Sequence, residues 1–134
     1  MEEKNQQEQQ EIMFKLSMFE QQIQQLQQQL QAVEKGIIDL SSLNLGLDEV
    51  VGKEGKEIFA SIGKGIFAKA KLISEDLIVD IGSKNFVKKT IPETQKLVKN
   101  QIENLEEVKK ELNNNLEATS NELRGLIQGV DKPN

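Results

Sequence analysis

The sequence predicts a mainly α fold in which a long antiparallel coiled-coil hairpin of two helices is interrupted by two β-hairpins. In the first and last thirds of the 134 residues, apolar side chains recur at alternating spacings of four and three. This is the pattern of the a and d positions of a coiled coil. Between these thirds the apolar residues alternate with a period of two, which indicates β-strands. If the strands reverse the chain, the two helices run antiparallel and cover each other's apolar seams.

The first helix is predicted over residues 1–51. Its seam extends from Ile12 to Leu40 over about four heptads, and the heptad count continues through Asn44 to Val51. The glutamines of residues 21–31 all avoid the a and d positions. We therefore interpret them as a solvated helix face rather than as an aggregation-prone tract. Gly52 is expected to end the helix.

Residues 52–89 are predicted to form the two β-hairpins, with turns at residues 63–65 and 82–85. Four short strands with no helix between them would form a small antiparallel sheet with bare edges and a thin core. We therefore expect this segment to be an oligomerisation platform that pairs with the sheets of other chains. The apolar residues assigned to this role are Ile58, Ala60, Ile62, Ile66, Phe67, Ala68, Leu77, Val79, Ile81, Phe86 and Val87.

The second helix is predicted over residues 90–130, followed by a tail at 131–134, and the whole chain is expected to be one domain. Thr90 is positioned as the N-cap, with Glu93 three residues later as its capping-box partner. Pro92 lies in the first turn, where its missing N–H removes no helical hydrogen bond. The seam continues from Ile91 with few polar interruptions, so this helix matches the first in character.

Composition argues against catalysis and against several kinds of partner. The net charge of -5 disfavours nucleic acid, because an acidic chain repels phosphates. The absence of His and Cys removes the commonest general base, thiol nucleophile and metal ligands. Gly46 and Gly52 are one residue too far apart for a phosphate-binding loop, and Glu54 replaces its Ser or Thr. No apolar run is long enough to span a membrane. We expect a cytoplasmic, non-enzymatic protein without cofactor, metal, nucleic-acid or membrane partner.

Apolar residues outside the seam mark the end of the coiled coil formed by the chain termini. Met13, Phe14 and Met18 fall at e, f and c positions, and Ile127 falls at e in the second helix. Such positions are ordinarily polar. Because Met is flexible and suits promiscuous apolar surfaces, we hypothesise that this tip binds apolar partners. The alternatives are that a neighbouring chain covers these residues or that the helix ends are loose.

The order helix, two β-hairpins, helix resembles prefoldin, a family of ATP-independent chaperones of archaea and eukaryotes. Residues 60–70 and 79–89 are similar to the two hairpins of the family's α class of subunit, whereas the β class has one. Ser61 stands where the family often has Pro, and Lys84 stands where Gly is common. Both differences concern turns rather than the fold.

This resemblance implies a hexamer of two α-class and four β-class subunits whose hairpins join an inter-subunit β-barrel. It also implies that the coiled-coil tips hold unfolded client proteins and pass them to a group II chaperonin. The expected client-binding residues are Ile12, Met13, Phe14, Leu16, Met18, Phe19, Leu116, Leu123, Leu126, Ile127 and Val130. The alternative is a structural coiled-coil adaptor without clients. That alternative explains the seams but neither the hairpins nor the off-seam Phe14 and Met18.

Overall fold

The computed structural model describes residues 2–131, with side chains over residues 5–129. Helix α1 is followed by four strands and helix α2, and the chain divides into two compact units, Met1–Gly36 with Leu105–Asn134 and Ile37–Asn104. The elements are α1 (Glu2–Val50), β1 (Glu57–Gly63), β2 (Ile66–Lys71), β3 (Leu77–Asp80), β4 (Phe86–Lys89) and α2 (Ile91–Asp131).

In the first unit, the early part of α1 packs against the late part of α2 in antiparallel directions. A Cβ atom placed on Gly36 would lie 3.3 Å from Leu105 Cδ1, so the helices approach closely there. Two residues earlier on α1, Glu34 Oε1 lies 3.8 Å from Nζ of Lys109, four residues later on α2. The predicted seam residues of this unit are half-buried between the helices. They are Ile12, Leu16, Phe19, Ile23, Leu26, Leu30, Val33, Leu105, Leu112, Leu116, Leu123 and Leu126.

The second unit contains the best-buried residues that the structure describes. Leu47 of α1 and Ile91 and Val98 of α2 are 8%, 3% and 5% exposed, and they form its apolar core. Gln95 Nε2 donates a hydrogen bond to Asp48 Oδ1 at 2.5 Å, which joins the two helices beside this core. These residues belong to the end of α1 and the start of α2, which the antiparallel arrangement of the two seams brings together.

The start of α2 follows the predicted capping chemistry. The backbone N–H of Glu93 donates to Thr90 Oγ1 at 3.2 Å, which confirms Thr90 as the N-cap. Thr94 is buried, and its hydroxyl donates to the Thr90 carbonyl oxygen at 2.9 Å. The cap therefore satisfies a backbone donor at the helix terminus that would otherwise lack a partner.

The end of α1 differs by one residue from the prediction. The helix ends at Val50, which is half-buried, whereas Val51 is 56% exposed and lies in a turn. The Val51 N–H donates to the Asp48 carbonyl at 3.4 Å, an i to i-3 bond that tightens the last turn. At the end of the helix Val50 is therefore more shielded than Val51.

The four strands form two separate two-stranded sheets, so the expectation of one four-stranded sheet is wrong. Strand β1 pairs with β2, and β3 pairs with β4, both antiparallel. The segment after β2 makes its hydrogen bonds elsewhere, because Leu72 exchanges backbone bonds with Gly55 and Lys56, in the loop before β1. Glu75 in the same segment accepts a bond from the Gly52 N–H. These bonds hold the segment that connects β2 to β3 near the end of α1. Strands β2 and β3 do not pair with each other.

Both hairpins turn through residues with positive φ. Gly63 pairs with Ile66, and the two residues between them, Lys64 and Gly65, have φ values of 49° and 79°. In the second hairpin, Ser83 and Lys84 have φ values of 51° and 61° within a turn closed by the Asn85 N–H and the Gly82 carbonyl. Two consecutive positive φ angles are typical of the type I′ turns that match the twist of a hairpin. Lys84 therefore adopts the conformation that Gly provides more easily.

Candidate functional site

A set of apolar side chains lies exposed outside the seam in the first unit, and we call it the tip surface. It consists of Met13, Phe14 and Met18 on α1 and Ile127 on α2, which are 69%, 66%, 45% and 44% exposed. Phe14 and Met18 are four residues apart on one helix face, where side chains can contact each other. None of the four occupies an a or d position, so the partner helix leaves them accessible.

The antiparallel register brings the two parts of the tip surface to the same level of the coiled coil. Gly36 lies opposite Leu105. Moving about 22 residues back along α1 and the same number forward along α2 leads to Phe14 and Ile127, because paired α-helices rise equally per residue. The tip surface is thus a shared feature of both helices and not of α1 alone.

The structure separates the predicted client-binding residues into two groups. Met13, Phe14, Met18 and Ile127 are exposed, whereas the other residues with described side chains are half-buried in the seam. A half-buried seam residue can reach a ligand fully only where the two helices part. The seam group is Ile12, Leu16, Phe19, Leu116, Leu123 and Leu126. The side chain of Val130 lies outside the described residues.

The groove beside the tip surface is built by α1 alone. A shallow groove beside Phe14 is lined otherwise by Gln7, Gln10, Glu11 and Lys15, all on one helix. Within residues 5–129, no group of acidic side chains is arranged to hold a metal ion. Neither helix in the described part of the chain is apolar enough over a sufficient length to cross a membrane.

The hairpins have two faces with different exposure. On one face the predicted residues Ile58, Ala60, Ala68, Leu77, Val79 and Val87 are half-buried. Five other predicted residues are exposed in this chain. They are Ile62 (71%), Ile66 (61%), Phe67 (59%), Ile81 (60%) and Phe86 (63%).

Two residues of the exposed hairpin faces were missed by the sequence reasoning. Phe59 is 71% exposed and Ile78 is 72% exposed. Phe59 pairs with Lys69, and together with Phe67 it lines an open apolar cavity. The period-two pattern could have identified Phe59, because it shares a strand face with Ser61, which pairs with Phe67.

The hairpin segment also differs from the rest of the chain in charge. Residues 51–90 contain eight Lys against five Asp and Glu, a net charge of +3, which leaves -8 on the two helical segments. Among the described residues, Glu34 and Lys109 form an ion pair within 4.0 Å, and no hairpin lysine forms one. The lysines are Lys53, Lys56, Lys64, Lys69, Lys71, Lys84, Lys88 and Lys89.

Helix α1 carries a further apolar stripe that was not predicted. Ile38 and Leu45 are 64% and 67% exposed, and they lie seven residues apart on one helix face. Both occupy b positions, which are normally solvated in a two-helix coiled coil. Extending the heptad count to the off-seam positions of this part of α1 would have identified them.

Two helices packed through heptad seams, with two β-hairpins in the segment between them, define a class of coiled-coil proteins with a hairpin insertion. The family model for the prefoldin subunit matches residues 19–132. The chain therefore belongs to the prefoldin family, and the family resemblance drawn from the hairpin motifs is confirmed.

Two archaeal sequence relatives agree with this assignment. The chain is 32% identical over 92 residues to prefoldin subunit alpha of Methanobrevibacter smithii, which covers 68% of this chain and 63% of that protein. It is 26% identical over 89 residues to prefoldin subunit alpha of Methanosphaera stadtmanae, which covers 66% of this chain and 64% of that protein. The matched region thus spans less than two thirds of the length of either relative. Both are α subunits, in agreement with the presence of two hairpins.

The fold matches that of one chain in a solved structure. A chain in the cryo-EM structure of filamentous PFD from Methanocaldococcus jannaschii superposes with a TM-score of 0.73 at 18% sequence identity. The match covers 85% of this chain and 96% of that chain. The predicted fold class, two long helices with two small antiparallel strand pairs between them, is confirmed by this likeness.

Proposed function

We propose that this chain is a subunit of an ATP-independent chaperone that holds non-native proteins at the tip surface. The observation that carries the proposal is the exposure of Phe14 and Met18 at positions where a coiled coil ordinarily has polar residues. Membership of the prefoldin family supports the same function. The relevant chemistry is binding rather than catalysis, since exposed apolar side chains attract the apolar segments that an unfolded chain displays.

The expected strength of one tip is low. Burial of one such side chain contributes at most about 1.5–3 kcal/mol, and association itself costs at least about 4 kcal/mol in lost freedom. Four partly exposed side chains therefore give weak, rapidly reversible binding. Several tips on one assembly raise the effective concentration and make holding firm while each contact stays reversible. This arrangement suits transfer of a client to another chaperone, which we propose to be a group II chaperonin of the cytoplasm.

The assembly is proposed to form through the hairpins. Each sheet has only two strands and large exposed apolar residues, among them Phe59, Phe67, Ile78 and Phe86, so the isolated chain leaves strand edges and apolar faces uncovered. Strands from other subunits would cover both. We propose that two copies of this chain and four β-class subunits close an inter-subunit β-barrel in this way.

The charge of the hairpins supports a partner of a different kind from this chain. A net charge of +3 over residues 51–90 makes pairing between two copies of these hairpins unfavourable at low salt. A partner whose hairpins carry carboxylates would be attracted instead, and electrostatic complementarity of this kind selects partners.

The test of tip binding is the double substitution Phe14→Ser and Met18→Ser in the assembled complex. The matched control is Gln21→Ser and Gln25→Ser, because these exposed residues occupy the same f and c heptad positions one repeat later. Suppression of aggregation of a chemically denatured client is measured at several chaperone concentrations. We expect the tip variant to require at least about fivefold more chaperone, since two apolar anchors are lost from every tip. The control variant should behave as the wild type.

Native mass measurement accompanies this assay. Unchanged assembly mass with unchanged aggregation suppression in the tip variant would refute client binding at Phe14 and Met18. Absence of suppression by the wild-type assembly would favour the structural adaptor. Loss of the assembly in the tip variant alone would instead show that these residues are an assembly contact.

A further inference from the structure

The sulfur atoms of this chain are confined to one place in the sequence. All three methionines, Met1, Met13 and Met18, lie within the first 18 residues. The chain has no Cys, Trp, Tyr or His, so these thioethers are its readily oxidised side chains. The position of Met1 lies outside the described residues. The two others belong to the tip surface.

The environment of both sulfurs favours reaction with a small oxidant. Met13 is 69% exposed and Met18 is 45% exposed, whereas a thioether packed in a core is shielded. Both flank Phe14, which is 66% exposed and is the largest apolar side chain of the tip surface. A change of polarity at the two sulfurs would therefore act on both sides of this ring.

We propose that Met13 and Met18 form an oxidation site that releases client proteins from the tip surface, an inference that rests on the proposed holding function. The oxidant is a peroxide. A sulfur lone pair attacks one peroxide oxygen, an S–O bond forms as the O–O bond breaks, and water leaves after proton transfer. The sulfur loses two electrons to the peroxide and becomes a sulfoxide. Thiol-dependent sulfoxide reduction reverses the step, with the oxygen leaving as water and two thiols joining in a disulfide.

Oxidation would change client binding without unfolding the coiled coil. A sulfoxide is a strong hydrogen-bond acceptor, and covering it with an apolar client segment leaves that acceptor without water. Met13 and Met18 lie outside the seam, so α2 need not repack when they become polar. We expect holding to weaken by about five- to tenfold per tip, and by more for a client bound to several tips at once.

The experiment treats the assembled complex with hydrogen peroxide and follows each methionine by peptide mass spectrometry. The matched variant is Met13→Leu with Met18→Leu, which keeps the apolar character and the helix propensity but has no sulfur at the tip surface. Because Met1 and all partner subunits are unchanged in this variant, it controls for oxidation elsewhere. Aggregation suppression is measured before oxidation, after oxidation, and after treatment with methionine sulfoxide reductases.

We expect oxidised wild type to lose suppression at least about fivefold and to regain it on reduction, while the Leu variant is insensitive to peroxide. Bound client should also slow the oxidation of Met13 and Met18. Suppression that persists with both sulfurs oxidised, or equal peroxide sensitivity of the Leu variant, would overturn this inference alone. Absence of suppression by untreated wild type would overturn the holding function, and this inference with it.

Discussion

Two glycines of α1 allow a test of how closely α1 packs against α2. Gly46 lies in the helix interior, is exposed, and has no atom within 4 Å of the position that a Cβ would occupy. Replacing an exposed interior glycine by alanine favours a helix by about 0.5–1 kcal/mol, because the unfolded chain loses conformational freedom. With no contact to oppose this gain, Gly46→Ala should stabilise the protein by about that amount.

Gly36→Ala has the same gain in helix propensity but a different neighbourhood. Its new Cβ would lie 3.3 Å from Leu105 Cδ1, closer than the separation of about 3.5–4.0 Å at which carbon atoms attract best. Insertion of a methyl group into a packed contact typically costs about 1–3 kcal/mol. We therefore expect Gly36→Ala to be less stable than Gly46→Ala by about 1 kcal/mol or more.

Urea unfolding followed by far-UV circular dichroism measures both variants, with the protein concentration held constant because assembly contributes to stability. The combination of Gly36→Ala with Leu105→Ala should remove the unfavourable contact. A double-mutant cycle gives the coupling energy between the two substitutions. This energy distinguishes the effect of the contact from the effect of losing the Leu105 side chain. Equal stability of the two alanine variants would refute a close helix approach at Gly36.

Two further predictions concern the second unit. Asn44 Oδ1 is buried without a hydrogen-bond partner among the described residues. Asn44→Leu should therefore raise the free energy of unfolding of the isolated chain by about 1–3 kcal/mol, measured by urea titration. A loss of stability would indicate that the amide has a hydrogen-bond partner. Lys69→Glu with Lys88→Glu should weaken assembly with a carboxylate-bearing partner subunit by at least about tenfold at low salt. Native mass spectrometry measures this assembly. The control variant, Lys99→Glu with Lys110→Glu on α2, should assemble as the wild type does. Equal effects of the two pairs would exclude selection by hairpin charge.

The seams could be predicted from the sequence because a heptad repeat directly encodes which side of a helix is covered. Even the polar Asn44 is half-buried at the position that the count assigns to it. The same count was wrong at Val51, since it contains no information on where the last turn tightens. In the structure, the Val51 N–H bonds to the Asp48 carbonyl at this turn.

The hairpins were harder to predict, for two physical reasons. A period of two separates the faces of a strand but does not say which face another part of the protein will cover. Phe59 and Ile78 were left out although Phe67 and Phe86, which the strand pairing places on the same faces, were included. Pairing between strands is also non-local. The absence of a bond between β2 and β3 depends on where Leu72 and Glu75 find partners, which no local pattern contains.

Exposed apolar residues occur on both the tip surface and the hairpins, but their settings imply contacts of different lifetimes. Phe59 and Phe86 lie on two-stranded sheets whose edges also leave backbone groups unpaired, and β-pairing combines hydrogen bonds with apolar burial. Such contacts are directional and cumulative, which suits a permanent subunit interface. Phe14 and Met18 lie on a helix whose backbone bonds are already satisfied internally, so a partner gains only apolar contact from them. Contact of that kind is non-directional and weak, and it accepts many sequences. Under the proposed function the hairpin residues serve assembly and the tip residues serve transient holding, and the backbone beneath them distinguishes the two roles better than hydrophobicity does.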